Sequence, residues 1–290
     1  MLTINPTFTP NFNTNFGANA AAAQASWIAA AAVFTTSFTD NININIIVDA
    51  VSDPQVFGES MSAGFFPISY ADLLTRLTAD ATTPNDNIAI GPGGSVPAID
   101  PTNGNGSFFL TRAQAKALGV IPDDMSNDGT TTFGTTNPFT FSGPITPGTF
   151  DFQGIAAHEI SEVLGRQGFK GSPADTFSLL DLFSFTAPGV RDMVGGPNNN
   201  FSIDNGTTLL KQFNDPTANG LDSRDWASGT AGSPPDSFNQ FSAPDVVNPV
   251  SDVDLQLLDV IGYDLAPVPG AAVPAPVFRG VRSVVRPWKK

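Results

Sequence analysis

Between Asn41 and Val48 apolar and polar residues alternate: Ile42, Ile44, Ile46 and Val48 on one side, Asn41, Asn43 and Asn45 on the other. A period of two predicts a β-strand with one buried face. Elsewhere the period is helical. Asn19–Phe34 is alanine-rich, with Trp27, Ile28 and Phe34 as anchors; Ser69–Ala79 carries Leu73, Leu74 and Leu77. Ser251–Ile261 carries Val253, Leu257, Leu258 and Ile261 on one stripe, with Ser251 as the cap and Gly262 as the stop. Shorter signals predict strands at Asn87–Ile90 and Gly106–Leu110, and another around Phe139 and Phe141. Thr111–Leu118 reads as a helix capped by Thr111 and ended by Gly119. Phe201–Gly206 reads as a strand entering an Asn-Gly turn, with Leu209, Leu210 and Phe213 returning. Ala174–Phe185 is apolar throughout, and its periodicity separates neither helix from strand.

Residues 1–18 mix Asn, Thr, Phe and Pro and read as a flexible arm. Residues 214–249 form a long polar excursion. Residues 265–290, with Pro267, Pro269, Pro274 and Pro276 followed by Arg279, Arg282, Arg286, Lys289 and Lys290, read as a disordered tail. The pattern therefore predicts one α/β domain of the α+β kind over residues 19–264. A mixed twisted sheet is expected to pack on a helix, with long loops.

Charge and composition narrow the function. A net charge of −14 repels nucleic-acid phosphates. The absence of cysteine excludes disulfides, thiolate metal sites and cysteine nucleophiles. No run approaches the ~20 apolar residues that a bilayer span requires. The alanine-rich stretch 20–33 has no basic region before it, so no clear signal peptide is present. A surface rich in Asn, Ser, Thr and Gly nevertheless suits a secreted or cell-surface protein.

The chemistry concentrates in Gly154–Arg166, which holds the only histidine. On a helix, expected from about Phe152 to Leu164, His158 and Glu162 share a face, with Glu159 beside them. This is the H-E-x-x-H arrangement of zinc proteases with glutamate in place of the second histidine. His158 and Glu162 would be metal ligands and Glu159 the general base. A third ligand has to be an oxygen donor. Asp181, nineteen residues beyond Glu162, is the first candidate, followed by Asp175 and then Asp192. Against this stands a bland alternative, a structural histidine with two solvated glutamates. Arg166 reads first as a residue closing the helix C-terminus and second as a partner of Glu162. Asp204-Asn205-Gly206 and Asp222-Ser223-Arg224-Asp225 offer clustered oxygens for calcium, although a turn is the commoner explanation and neither matches an EF-hand loop. Trp226 reads as a core anchor. With one histidine already engaged, a Ser-His-Asp triad is not expected.

The segment His158–Arg166 resembles the helix of a bacterial family classed as zinc metalloproteases by the pattern H-E-I-S-E-V-x-G-R, many of whose members carry a C-terminal protein-sorting tail. The resemblance continues through Leu180-Asp181-Leu182-Phe183, Ala187–Asp192, Phe201–Gly206, Asp225-Trp226 and Leu258–Asp264. It implies a metzincin-like fold with a twisted sheet over the active-site helix, and a zinc-dependent metalloendopeptidase acting on peptide or protein substrates. The alternative is a catalytically inactive metzincin-like surface or matrix protein, or a calcium-dependent binding module. Relative to the full metzincin pattern, position 162 is Glu and Gly168 stands where a third ligand is expected.

Overall fold

A computed structural model of the chain describes residues 1–219, 222–228 and 234–267. Its central sheet grows from the alternating segment. β1 (Thr3–Phe8) leads through α1 (Pro10–Phe16) and α2 (Ala20–Ser37) to β2 (Asn43–Val51). Ile44, Ile46, Val48 and Ala50 are buried, while Asn43 and Asn45 lie on the opposite face. β3 (Gly58–Ser62) and β4 (Phe65–Ile68) precede α3 (Tyr70–Asp80) and α4 (Pro84–Ile90). β5 (Ser107–Thr111), α5 (Arg112–Ala117) and β6 (Gly129–Gly134) follow, and then the pair β7 (Phe139–Thr140) and β8 (Phe150–Asp151). The sheet order is β1-β2-β6-β3. β1, β2 and β6 run parallel and β3 is antiparallel to β6, so the expected mixed sheet is present and β3 lies at its edge.

The motif helix is α6 (Phe152–Leu164), with the predicted bounds. It packs on α2 and against β3 and β6. Trp27 of α2 is fully buried and donates to Thr131 Oγ1 of β6 at 3.1 Å, fixing the helix layer to the sheet. Ile28, expected as an anchor, is half exposed, and Ala23, Ala30 and Ala31 face the core instead. Small side chains there let α2 approach α6 closely.

The undecided apolar run resolves into β9 (Thr176–Ser178), a 3₁₀ turn at Leu179–Phe183 and β10 (Ser184–Ala187). β9 joins the sheet β4-β5-β9, and β10 joins β11 (Val190–Arg191), β12 (Asn200–Phe201) and β13 (Lys211–Gln212) in the order β11-β10-β12-β13. Asn205 and Gly206 both have positive φ, as the predicted turn requires. Among the described residues, the excursion that follows holds only the short helix α7 (Pro216–Asn219) before α8 (Asp252–Val260). Asp254 caps α8 by accepting from the Ser251 amide at 2.8 Å.

Residues 1–18 are not an arm. β1 pairs with β2 along its whole length, and Leu2, Ile4, Phe12 and Phe16 enter the same core as Tyr263. Pro6, which has no N–H to donate, is accommodated because β1 is an edge strand. Asn87–Ile90 belongs to a helix, not a strand: Thr83 and Asp86 form a capping box and Pro84 fills the first turn. At the other terminus, Leu265 bridges Phe38 and the Ala266 amide donates to the Ser37 carbonyl. The rest of the expected tail lies outside the described residues. No helix among the described residues is long and apolar enough to cross a membrane.

Acidic side chains meet where α3, α4 and α8 converge. Burial, reinforced by Asp264, Asp40, Asp86 and Asp259, raises Asp80 from 3.8 to about 8. Burial raises Asp40 and Asp259 to about 6. A carboxyl group raised in this way favours the folded state while protonated, and that contribution is lost as pH climbs from about 4 to about 8. Asp80→Asn is therefore expected to melt above the wild type at pH 8 and together with it at pH 4. Thermal melts at the two pH values check this, and an offset independent of pH contradicts it.

Candidate metal centre

The site is built on one face of α6. Gly165 ends the helix with φ 125°, and the amides of Gly165 and Arg166 both return to the Ser161 carbonyl. That reversal carries the Arg166 side chain back beneath the helix, where it is fully buried. Gly154, in the first turn, lets the excursion approach, because a β-carbon there would lie 2.7 Å from the Asn248 carbonyl. The excursion thereby brings Asp225 and Ser237 to the helix.

His158 Nε2 lies 3.5 Å from Glu162 Oε1 and 3.3 Å from Asp225 Oδ1. One donor atom from each of the three residues lies within 4.8 Å of the others. Ligands each ~2.0–2.1 Å from a tetrahedral zinc sit about 3.3 Å apart, so the two histidine distances match edges of such a tetrahedron. His158 Nδ1 is 2.8 Å from the Ser237 carbonyl. A carbonyl only accepts, so Nδ1 carries the proton and, in the neutral ring, Nε2 presents its lone pair to the carboxylates. Ser60 Oγ, from β3, donates to Glu162 Oε2 at 2.7 Å and leaves Oε1 facing His158.

The electrostatics follow from this crowding. Burial and Arg166 oppose a charge on His158, but Asp225 and Glu162 outweigh them and raise it to about 9. Burial works against Glu162 ionisation, yet the His158 hydrogen bond and Arg166 hold it down at about 2. Burial and then the Glu162 charge push Glu159 well above the carboxylate range. Asp225 is raised chiefly by burial.

These groups open onto a cavity of about 840 Å³. Edge strand β3 forms one wall, and Asp222, Phe241 and Ile155 contribute elsewhere. Glu159 stands against Gly58 of β3, where any β-carbon would collide with its carboxylate. Glycine at position 58 is thus what makes room for this side chain.

Asp181 is not part of the cluster. It is fully buried and pairs with Arg224 Nη2, while its other oxygen accepts the amides of Phe169, Lys170 and Ser178 at 3.2, 3.1 and 2.7 Å. It closes the loop after α6 and pins the chain that carries Arg224. Asp192 accepts the amides of Val194 and Gly195 in a turn, and Asp175 occupies a left-handed turn. The residue that joins His158 and Glu162 in a cluster able to hold a metal is Asp225. It lies in a segment first noted for calcium, and the resemblance also included it as the pair Asp225-Trp226. Trp226 anchors it: the indole is fully buried, stacks on Phe213 with centroids 5.0 Å apart, and donates to Asp254 Oδ1 at 2.6 Å. Asp204 is taken up by Ser202 and Thr208, as a turn requires. Arg166 pairs with Glu162 and Asp225 and does more than close a helix.

Comparisons of the chain with protein-family models, with curated proteins and with solved structures find no match.

Two aspartate substitutions separate ligand from structural role. Asp225→Asn is expected to weaken the binding of a divalent cation, probed with zinc, while the fold persists. Asp181→Asn strands a buried arginine and is expected to lower stability by about 3–5 kcal/mol without changing zinc stoichiometry. Denaturant titration and metal analysis of both variants check this; zinc loss in Asp181→Asn alone contradicts the assignment.

Proposed function

We propose that the protein is a zinc-dependent metalloendopeptidase on a metzincin-like scaffold. The observation that carries this reading is the ligand-spaced set His158, Glu162 and Asp225 on the floor of a large cavity, with Glu159 beside it. The donor set fits a borderline cation: one imidazole and two carboxylates, three protein ligands, with an open side facing the cavity. Bound zinc would supply a Lewis acid that polarises a carbonyl and brings the pKa of water toward ~7.

The protein's own groups would do the rest. Glu159, one residue from the ligand His158, would be favoured as the carboxylate by the charge of a nearby cation, and would then take the proton from water and pass it to the leaving amine. The Ser237 carbonyl holds the imidazole in the coordinating tautomer, and Ser60 fixes the Glu162 carboxylate. A peptide substrate is supported by β3, which is an edge strand and also lines the cavity. Its free edge offers backbone donors and acceptors to an extended chain. A secreted or cell-surface location is part of the same proposal and rests on the composition rich in Asn, Ser, Thr and Gly.

One observation favours a non-catalytic scaffold. Arg166 engages the same two carboxylate oxygens that face His158, so with His158 protonated the network is neutral without a metal. Near-stoichiometric zinc in protein purified without added metal selects the enzyme reading; its absence selects the scaffold.

Glu159→Gln is expected to abolish hydrolysis of a quenched-fluorescent peptide library while zinc stays bound. Gly58→Ala, which displaces the same carboxylate, is expected to lower kcat in the same direction. Full activity in Glu159→Gln removes the mechanism.

A further inference from the structure

Arg166 is bound more completely than the end of a helix requires. Its five N–H groups meet five acceptors. Nε donates to Ser161 Oγ at 2.8 Å. Nη1 donates to Asp225 Oδ1 and, at 3.2 Å, to the Arg224 carbonyl. Nη2 donates to Glu162 Oε1 at 3.3 Å and to the His158 carbonyl at 3.4 Å. The ring of Phe238 lies 4.7 Å from the guanidinium carbon, and Phe238 follows Ser237, whose carbonyl orients the His158 ring. One side chain therefore touches all three candidate ligand residues and the two segments that deliver them.

Two buried carboxylates brought to ligand spacing repel each other unless a cation lies between them. The planar fork of arginine supplies that charge with a fixed geometry. Each carboxylate oxygen has two lone pairs, so the guanidinium can take one and leave the other for a metal.

Building on the metal-centre reading above, we propose that Arg166 is a positioning residue that preassembles the site, holding Glu162 and Asp225 at ligand spacing before a divalent cation arrives. Asp225, from the excursion, is thereby docked on α6 without the metal. The guanidinium also cancels one carboxylate charge, so the ligand set carries the formal charge of a two-histidine, one-carboxylate site.

The test is a chelator competition for zinc on the full chain, comparing wild type, Arg166→Gln, Asp225→Asn and the double variant. Arg166→Gln is expected to weaken zinc binding by about 10–100-fold. The double variant is expected to bind no more weakly than Asp225→Asn alone, because both changes cut the same connection. With cobalt(II) in place of zinc, the visible band of Arg166→Gln is expected to shift to that of Asp225→Asn while the far-ultraviolet dichroism stays unchanged; a merely structural arginine would not move that band. A second measurement needs no variant. In wild type stripped of metal, the amides of Trp226 and Ala227, which donate to the Phe238 and Gln212 carbonyls, are expected to stay protected from hydrogen exchange. Equal zinc affinity in wild type and Arg166→Gln overturns this inference alone, as does exchange of those amides at unprotected rates. If Arg166→Gln does not fold, the exchange experiment decides. A wild type that takes up neither metal overturns the metal reading and this inference with it.

Discussion

The pairing of one buried guanidinium with two carboxylates is the contact through which α6 and the excursion after β13 become one site. Glu162 belongs to the helix and Asp225 to a segment sixty-odd residues further on, and both are almost wholly removed from water. Desolvated charges of like sign stay near each other only when an opposite charge satisfies both, and leaving either unpaired would cost several kcal/mol. Arg166 meets that requirement because Gly165 reverses the chain and turns its side chain back under the helix it follows. The surrounding anchors serve the same end: Trp226 on Phe213 and Asp254, Phe238 over Arg166, and Lys211 on Asp236.

What was legible in the sequence is what local pattern encodes. The bounds of α6, the alternation in β2, and the caps of α5 and α8 follow from periodicity and from residues three or four positions apart. His158, Glu159 and Glu162 were legible for the same reason, since one helical turn brings them together. Asp225 was not, because its proximity is created by an irregular excursion with no period to read. Spacing favoured Asp181, but that residue is engaged by Arg224 and by three backbone amides of its own loop. The N-terminal strand was missed for a different reason. Polar residues and Pro6 mask the alternation of Leu2 and Ile4, and only the unpaired edge of β2 gives them a place. The Thr-Pro-Asn-Asp signal that starts α4 was present and was outweighed by the alternation of Ile88 and Ile90.

The replacement of a second histidine by Glu162 looks at first like a loss of metal chemistry, because each added carboxylate reduces the positive charge of a bound cation. The structure offers a compensating charge in the same place. In the proposed centre the guanidinium and the metal would act on opposite lone pairs of the same oxygens, which ties the arginine of the motif to its glutamate. In that proposal the cavity, the edge strand β3 and the crowded Glu159 of α6 would supply the remaining parts of a hydrolytic site.

The most direct measurement is X-ray absorption at the zinc edge on protein purified without added metal. The account predicts a first shell of one nitrogen and two carboxylate oxygens at ~2.0–2.2 Å, with a further light atom in the open position, and a change in that shell when Asp225 is replaced but not when Asp181 is. A sample without zinc, or a shell unaltered by replacing Asp225, would contradict it.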